Sequence, residues 1–211
     1  MWFPRPAGSG DIVLLRGSSA PSKGELAALL SDPAAEEWRG KVGVVGGAVG
    51  LADPSARLLC AQGWVLKTNL DQACSDLASA ARWVAHAADQ ASRFPLWHPS
   101  KAWLVVRVGA VFHPMSACPR LPVVRAVQGF TERVEAWGRM GAWALEISRR
   151  FDVGMDVHPS NFGEEDGRLY YLDDELYEGA SARSIGAFVA GRIPEEEALP
   201  GEWERAGRRL A

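Results

Sequence analysis

The sequence predicts an α+β protein of two lobes, and three observations carry that expectation. Short β-prone runs separated by glycines fill much of residues 1–112, one Ala-rich helical pattern interrupts them, and helical patterning dominates afterwards. Strands followed by helices is an α+β order, with lobes at 1–112 and 113–211.

Residues 1–10, rich in Pro and Gly, read as an irregular arm. Asp11-Ile12-Val13-Leu14-Leu15-Arg16 is a short apolar run and predicts a strand. Residues 21–30 predict a short helix, with Pro21 near its start and Leu26, Leu29 and Leu30 spaced for burial. Residues 41–45, 57–60 and 63–67 predict a meander of three strands. From 69 to 92 the chain turns Ala-rich, with Leu70, Ala73, Leu77, Ala80, Val84 and Ala87 at helical spacing. Asn69 is the expected N-cap, and Pro95 and Pro99 end this helix. Residues 102–108 give the strongest strand signal, continued by Val111 and Phe112 after Gly109. Three prolines in 113–122 mark a connector. A second long helix follows over 124–150, with Val127, Phe130, Val134, Trp137, Gly141, Ala144 and Leu145 on one face and Arg149-Arg150 suiting its C-terminal dipole. Two short helices, near 181–191 and 195–209, close the chain.

Composition narrows the function classes. A hydrophobic fraction of 47% supports a sizeable core, and a net charge of −3 gives no reason to expect nucleic acid. The acidic excess lies in the second half, where 12 basic residues face 17 acidic ones after Ala110, a balance suited to a metal site. Cys60, Cys74 and Cys118 are widely spaced and contain no C-x-x-C pair, so reduced core cysteines are expected, not zinc or a disulfide framework. No apolar run reaches the roughly 18 residues of a membrane span. The N-terminus lacks the layout of a cleaved signal peptide. The expectation is a soluble protein without membrane partners, cytoplasmic or exported by a non-classical route.

The chemistry-bearing stretch is Asp156-Val157-His158-Pro159-Ser160-Asn161, followed by the turn Glu164-Glu165-Asp166-Gly167 and by Arg168-Leu169-Tyr170-Tyr171-Leu172-Asp173-Asp174. A loop and a β-hairpin would bring Asp156, Asn161 and Asp173 together. Phosphoryl transfer needs such a set. One carboxylate orients the acceptor hydroxyl and takes its proton, while an amide oxygen and a second carboxylate hold Mg²⁺ against the nucleotide phosphates. Strand alternation puts Tyr171 and Asp173 on one face and Leu172 and Asp174 on the other, and Asp174 is the alternative ligand. His158 reads as a loop-stabilising residue.

These residues resemble the catalytic loop and metal-binding aspartate of protein kinases. Asp-Val-His-Pro-Ser-Asn is closer still to the aminoglycoside/choline phosphotransferase branch. The resemblance implies a kinase-like two-lobe fold, an N-lobe with an antiparallel sheet and one long helix, and a reduced, mostly helical C-lobe. It implies Asp156 as the catalytic carboxylate, with Asn161 and Asp173 as Mg²⁺ ligands and ATP as the nucleotide. Lys67 is the one lysine that ends a strand directly before a long helix, where the family keeps its phosphate-binding lysine. Gly46, Gly47 and Gly50 would form the loop over the phosphates, since glycine lets backbone amides approach them. Residues 102–108 and the connector would supply the hinge and adenine pocket, with Leu104, Val106 and Val108 as walls.

The chain also departs from the family. No glutamate lies between Glu37 and Glu132, so the helix glutamate that normally holds the lysine is missing, and Asp71 or Asp76 is the nearest substitute. Only 38 residues follow Asp173, counted as 211 − 173, too few for a full helical lobe. The resemblance is thus to a minimal kinase of the compact bacterial effector type. Its open front favours a protein Ser/Thr acceptor over a small hydroxyl-bearing molecule. A catalytically inactive binding module and AMP transfer on the same scaffold are the other readings.

Overall fold

The apolar run after Asp11 does form an extended strand, β1 (Ile12–Arg16), in the computed structural model, which describes residues 3–17, 19–39, 55–124, 130–157 and 159–178. The loop glycines Gly46, Gly47 and Gly50, the expected strand 41–45, His158 and both closing helices lie outside the described residues. The chain divides into two compact units, Met1–Arg120 and Leu121–Ala211. The boundary thus falls after residue 120, where the sequence reading placed it after 112.

The first unit follows the chain order expected of it, with two unforeseen strands. Helix α1 (Lys23–Ser31) starts at Ser22, whose side chain accepts the Glu25 N–H while Glu25 reaches back to the Ser22 backbone. This capping box satisfies two N–H groups that the first turn would otherwise orphan. Among the described residues, strand β2 (Glu36–Arg39) pairs only with β3 (Ala56–Ala61). Its Glu-Glu-Trp-Arg sequence lacks a strand signature, but charge is well placed on an edge. Glu37 there accepts two hydrogen bonds from Arg5. Strand β4 (Trp64–Asn69), helix α2 (Leu77–Arg93) and the hairpin β5 (Ala102–Val108) and β6 (Val111–Pro119) complete the unit. The six strands form one antiparallel sheet in the order β1-β5-β6-β4-β3-β2.

Two sequence expectations fail here for identifiable reasons. The supposed connector is mostly β6, a central strand despite its prolines. Its ladder with β4 runs from Trp64 opposite Pro119 to Thr68 opposite Met115. Pro119 therefore stands at one end of that ladder and Pro114 one residue past the other. The missing N–H groups cost the ladder little there. Thr68 also donates its hydroxyl to the Pro114 carbonyl at 2.8 Å. The second failure is the start of α2. Asn69 caps only a short turn at Leu70–Gln72, and Asp76 caps the helix proper through Ser79 N–H at 2.8 Å. Between them Cys74 and Phe112 exchange both backbone hydrogen bonds, at 2.9 and 2.8 Å. That bridge holds the chain extended, so the helix starts only beyond it. Ala80, Val84 and Ala87 are buried as expected, whereas Leu77 is exposed.

The core of this unit fixes which way each strand faces. Leu26, Leu29 and Leu30 of α1 cluster with Ile12, Leu59, Leu66, Leu104, Val106, Met115 and Ala117. Each fully buried leucine contributes about 2 kcal/mol of hydrophobic stabilisation. Leu104 and Val106 are thereby committed to the packing under α1, and Val108 packs partly against the same cluster. They are core residues, which corrects their expected role as walls of an adenine pocket. Helix α2 packs on β5 and β6, and its buried residues are not in that cluster. It covers the opposite face, toward which alternation directs Trp103, Val105 and Ser116.

In the second unit, α3 (Phe130–Phe151) precedes two small sheets. One pairs β7 (Val153–Gly154) with β10 (Tyr177–Glu178), and the other is the hairpin β8 (Phe162–Glu165) and β9 (Arg168–Tyr171). The hairpin and its Asp166-Gly167 turn are as expected. Asp166 and Gly167 take φ of 51° and 76°, the left-handed pair that a two-residue hairpin turn needs. Among the described residues no helix is long and apolar enough to cross a membrane.

Candidate functional site

The chain leaves α3 through Asp152, whose φ of 53° turns it sharply while its N–H still reaches Ser148 O at 2.9 Å. It enters β7 at once. Because β7 pairs with β10, Val153 opposite Glu178 and Gly154 opposite Tyr177, both ends of the stretch between them are clamped. The hairpin is anchored as well. Val123 bridges Gly163, and a Cβ on Gly163 would lie 2.7 Å from Leu121 Cβ, so glycine is required for that approach. Phe162 stands edge-on to Trp143 of α3 with ring centroids 5.9 Å apart.

Asp156 and Asn161 meet inside this frame. The Asn161 side-chain nitrogen donates to Asp156 Oδ2 at 2.9 Å and to the Asp156 carbonyl at 3.2 Å. Asn161 is buried, and its own carbonyl accepts the Leu172 N–H at 2.8 Å. That bond sets Asn161 beside the residue preceding Asp173. Asp173 and Asp174 are both buried, and Asp173 Oδ1 accepts the Asp174 N–H at 2.9 Å.

Tyr171, fully buried, joins the two carboxylate segments. Its hydroxyl oxygen accepts the Asp156 N–H at 3.0 Å, and its O–H donates to the Glu175 carbonyl at 3.3 Å. Burial holds this phenol well above the ordinary tyrosine range, and the charges of Asp173 and Asp156 push it further in the same direction. Both carboxylates therefore bear electrostatically on one hydroxyl. Sequence reading placed Tyr171 on the face of Asp173 but gave its hydroxyl no role. Alternation was the available signal.

Asn161 and Asp173 carry side-chain oxygens of the kind Mg²⁺ takes. The Asn161 amide nitrogen is spent on Asp156, which leaves its Oδ1 as an oxygen donor, and Asp173 adds a carboxylate. Few protein oxygens, completed by water and phosphate, is the coordination Mg²⁺ prefers. Among the described residues no three His, Cys, Asp or Glu side chains gather as a metal-holding group.

Lys67 belongs to the first unit. It sits on β4, near the middle of the sheet, opposite Leu58 on β3 and Ser116 on β6. Its neighbour Leu66 points into the α1 cluster, so Lys67 points to the face that α2 covers. Helix α2 carries one acidic residue, Asp89, which is exposed and paired with Arg93. Asp76 is occupied as the α2 cap, and Asp71 lies exposed in the preceding turn. Lys101 is a different kind of lysine. It is 2% exposed, with Nζ 5.7 and 5.6 Å from the ring centroids of Trp97 and Trp103. Desolvated contact with two indoles is a favourable setting for a buried cation.

No family model matches the sequence, and no curated protein and no solved structure matches it.

Proposed function

We propose that the chain is a kinase-type phosphotransferase that moves the γ-phosphoryl group of ATP to a hydroxyl, with a protein Ser/Thr favoured as acceptor. The observation that carries this reading is the Asn161 side chain held on the Asp156 carboxylate at 2.9 Å, with buried Asp173 following the Leu172 N–H that bonds the Asn161 carbonyl. A carboxylate held in place by an amide donor is suited to accept the proton of an attacking hydroxyl. Asn161 Oδ1 and Asp173 would hold Mg²⁺, which when bound supplies charge neutralisation for the phosphates. In this reading Lys67 would supply a cation for nucleotide phosphate.

In the transfer, the acceptor oxygen bonds to the γ-phosphorus as the bond from that phosphorus to the β–γ bridging oxygen breaks. The acceptor proton passes to Asp156, and ADP leaves. Asp156 contributes position and proton acceptance, and Asn161 fixes which carboxylate oxygen faces the acceptor.

One observation favours a second reading, a kinase-like module that binds nucleotide without transferring phosphate. Helix α2 offers no buried carboxylate to orient Lys67. Mass spectrometry of candidate substrates, and of the chain itself, after incubation with MgATP separates the readings. A gain of about 80 Da marks phosphoryl transfer and about 329 Da marks AMP, while no change favours the binding module. Peptide against aminoglycoside-like acceptors in the same assay decides the substrate class.

A further inference from the structure

The half-buried Asp156 main chain is held by a side chain. Its N–H donates to the Tyr171 hydroxyl, 15 residues further along the chain. The ring carrying that hydroxyl is itself fixed. Tyr171 is completely buried, packs on Phe162 with centroids 5.4 Å apart, and Phe162 packs in turn on Trp143 of α3. The same hydroxyl donates to the carbonyl of Glu175, beyond Asp173. One oxygen therefore touches the backbone of the loop that bears Asp156 and the backbone of the segment that follows Asp173. Asn161 cannot do this alone, because its side chain binds the acceptor atoms of Asp156 and leaves the Asp156 N–H unsatisfied.

We infer that Tyr171 is the positioning residue of the site: its hydroxyl is a strut that keeps the Asp156 loop in register with the Asp173 segment. The consequence for turnover rests on the phosphotransfer reading, whereas the strut itself does not. A displacement near 1 Å between a catalytic group and its reaction partner costs on the order of 10²-fold in rate, so a fixed loop matters more for turnover than for nucleotide binding. The ring supplies packing and the hydroxyl supplies register, and a single-atom deletion separates the two.

The test compares the wild-type chain with Y171F, which keeps the ring, and with L169A, which weakens the same hairpin through a buried apolar residue of β9 while keeping the hydroxyl. Amide hydrogen exchange is read at Asp156 and at the β8–β9 ladder, alongside kcat and the KM for MgATP. In the wild type the Asp156 amide should be protected. In Y171F it should exchange at least about tenfold faster while the ladder amides stay protected. For turnover, kcat should fall by about tenfold or more with the KM for MgATP within about twofold. L169A should lower the melting temperature yet leave the Asp156 amide and kcat close to wild type. An unprotected Asp156 amide in the wild type, which needs no variant to fold, overturns the inference. So does wild-type protection in Y171F, or an equal loss of kcat in L169A. A wild-type chain that transfers no phosphate removes the phosphotransfer reading, and the exchange data still decide the strut.

Discussion

The side-chain nitrogen of Asn161 lies 2.9 Å from Oδ2 of Asp156, so the amide holds one carboxylate oxygen in place and leaves the other side of the carboxylate to an incoming group. Replacing Asn161 by Asp should replace a donor with a second carboxylate. That removes the bond that holds Oδ2, so N161D should transfer phosphate at least about tenfold more slowly while keeping its fold by circular dichroism. Unchanged transfer in N161D would separate Asn161 from the placement of Asp156.

Lys67 is one of four lysines in the chain, and the expected contrast is with Lys23 at the exposed start of α1. Lys67→Met should cut turnover by about 10²-fold, the scale of losing one preorganised donor to developing negative charge. Lys23→Met should leave it unchanged. Lys101 is a poor control, since its removal empties a buried site between two tryptophans. Equal losses for Lys67 and Lys23 would place the nucleotide elsewhere.

Asp76 offers a test of helix capping against direct participation. Asp76→Ala removes the acceptor for Ser79 N–H and should lower the melting temperature by about 2–4 °C. Asp76→Asn keeps the cap and should restore most of that loss. If Asp76→Asn melts like wild type but loses turnover, its charge serves Lys67 as well as the helix.

His113 makes stability depend on pH. It is half-buried on β6, and its Nδ1 is a buried atom with no hydrogen-bond partner among the described residues. Desolvation lowers its pKa below the ordinary histidine value of about 6.5. The unfolded chain then binds a proton that the folded chain refuses, so stability falls as pH drops below the unfolded value and levels off once the folded value is passed. The melting temperature should decline from pH 7 to pH 5, and His113→Leu should flatten that decline. Carboxylates titrate mainly below this window, so an unchanged slope in the variant would remove His113 as the cause.

Several of these elements were legible before any coordinates. The three leucines of α1, the β5 run and the Asp166-Gly167 hairpin turn all follow from periodicity or turn chemistry, which are local. What escaped sequence reading depends on partners far along the chain. β6 looked like a connector because its prolines are tolerated only through where the β4 ladder ends. β2 is an edge strand whose charges hide its conformation. The late start of α2 follows from the Cys74–Phe112 bridge, and Leu104 and Val106 are core because α1 lies over them. In the candidate site, the meeting of Asp156 with Asn161 and the place of Asp173 just past the hairpin were legible from spacing. The Tyr171 hydroxyl bond to Asp156 was not, because it depends on how the hairpin folds back onto the loop.

Asp173 separates binding from chemistry. Wild-type chain should gain thermal stability from ATP in a Mg²⁺-dependent way, by about 2.7 kcal/mol at a ligand concentration 100 times Kd. Asp173→Ala should lose that gain while keeping its fold by circular dichroism. Mg²⁺-dependent stabilisation that survives in the variant would exclude Asp173 as the ligand.

The most direct test of the phosphotransfer account is single-turnover transfer from MgATP to an acceptor that gains a phosphoryl group, measured for wild type and Asp156→Asn. The substitution preserves size and removes the charge that accepts the proton. The account predicts that Asp156→Asn binds MgATP nearly as well as wild type and transfers phosphate about 10²–10⁴-fold more slowly. Full transfer activity in Asp156→Asn would contradict it.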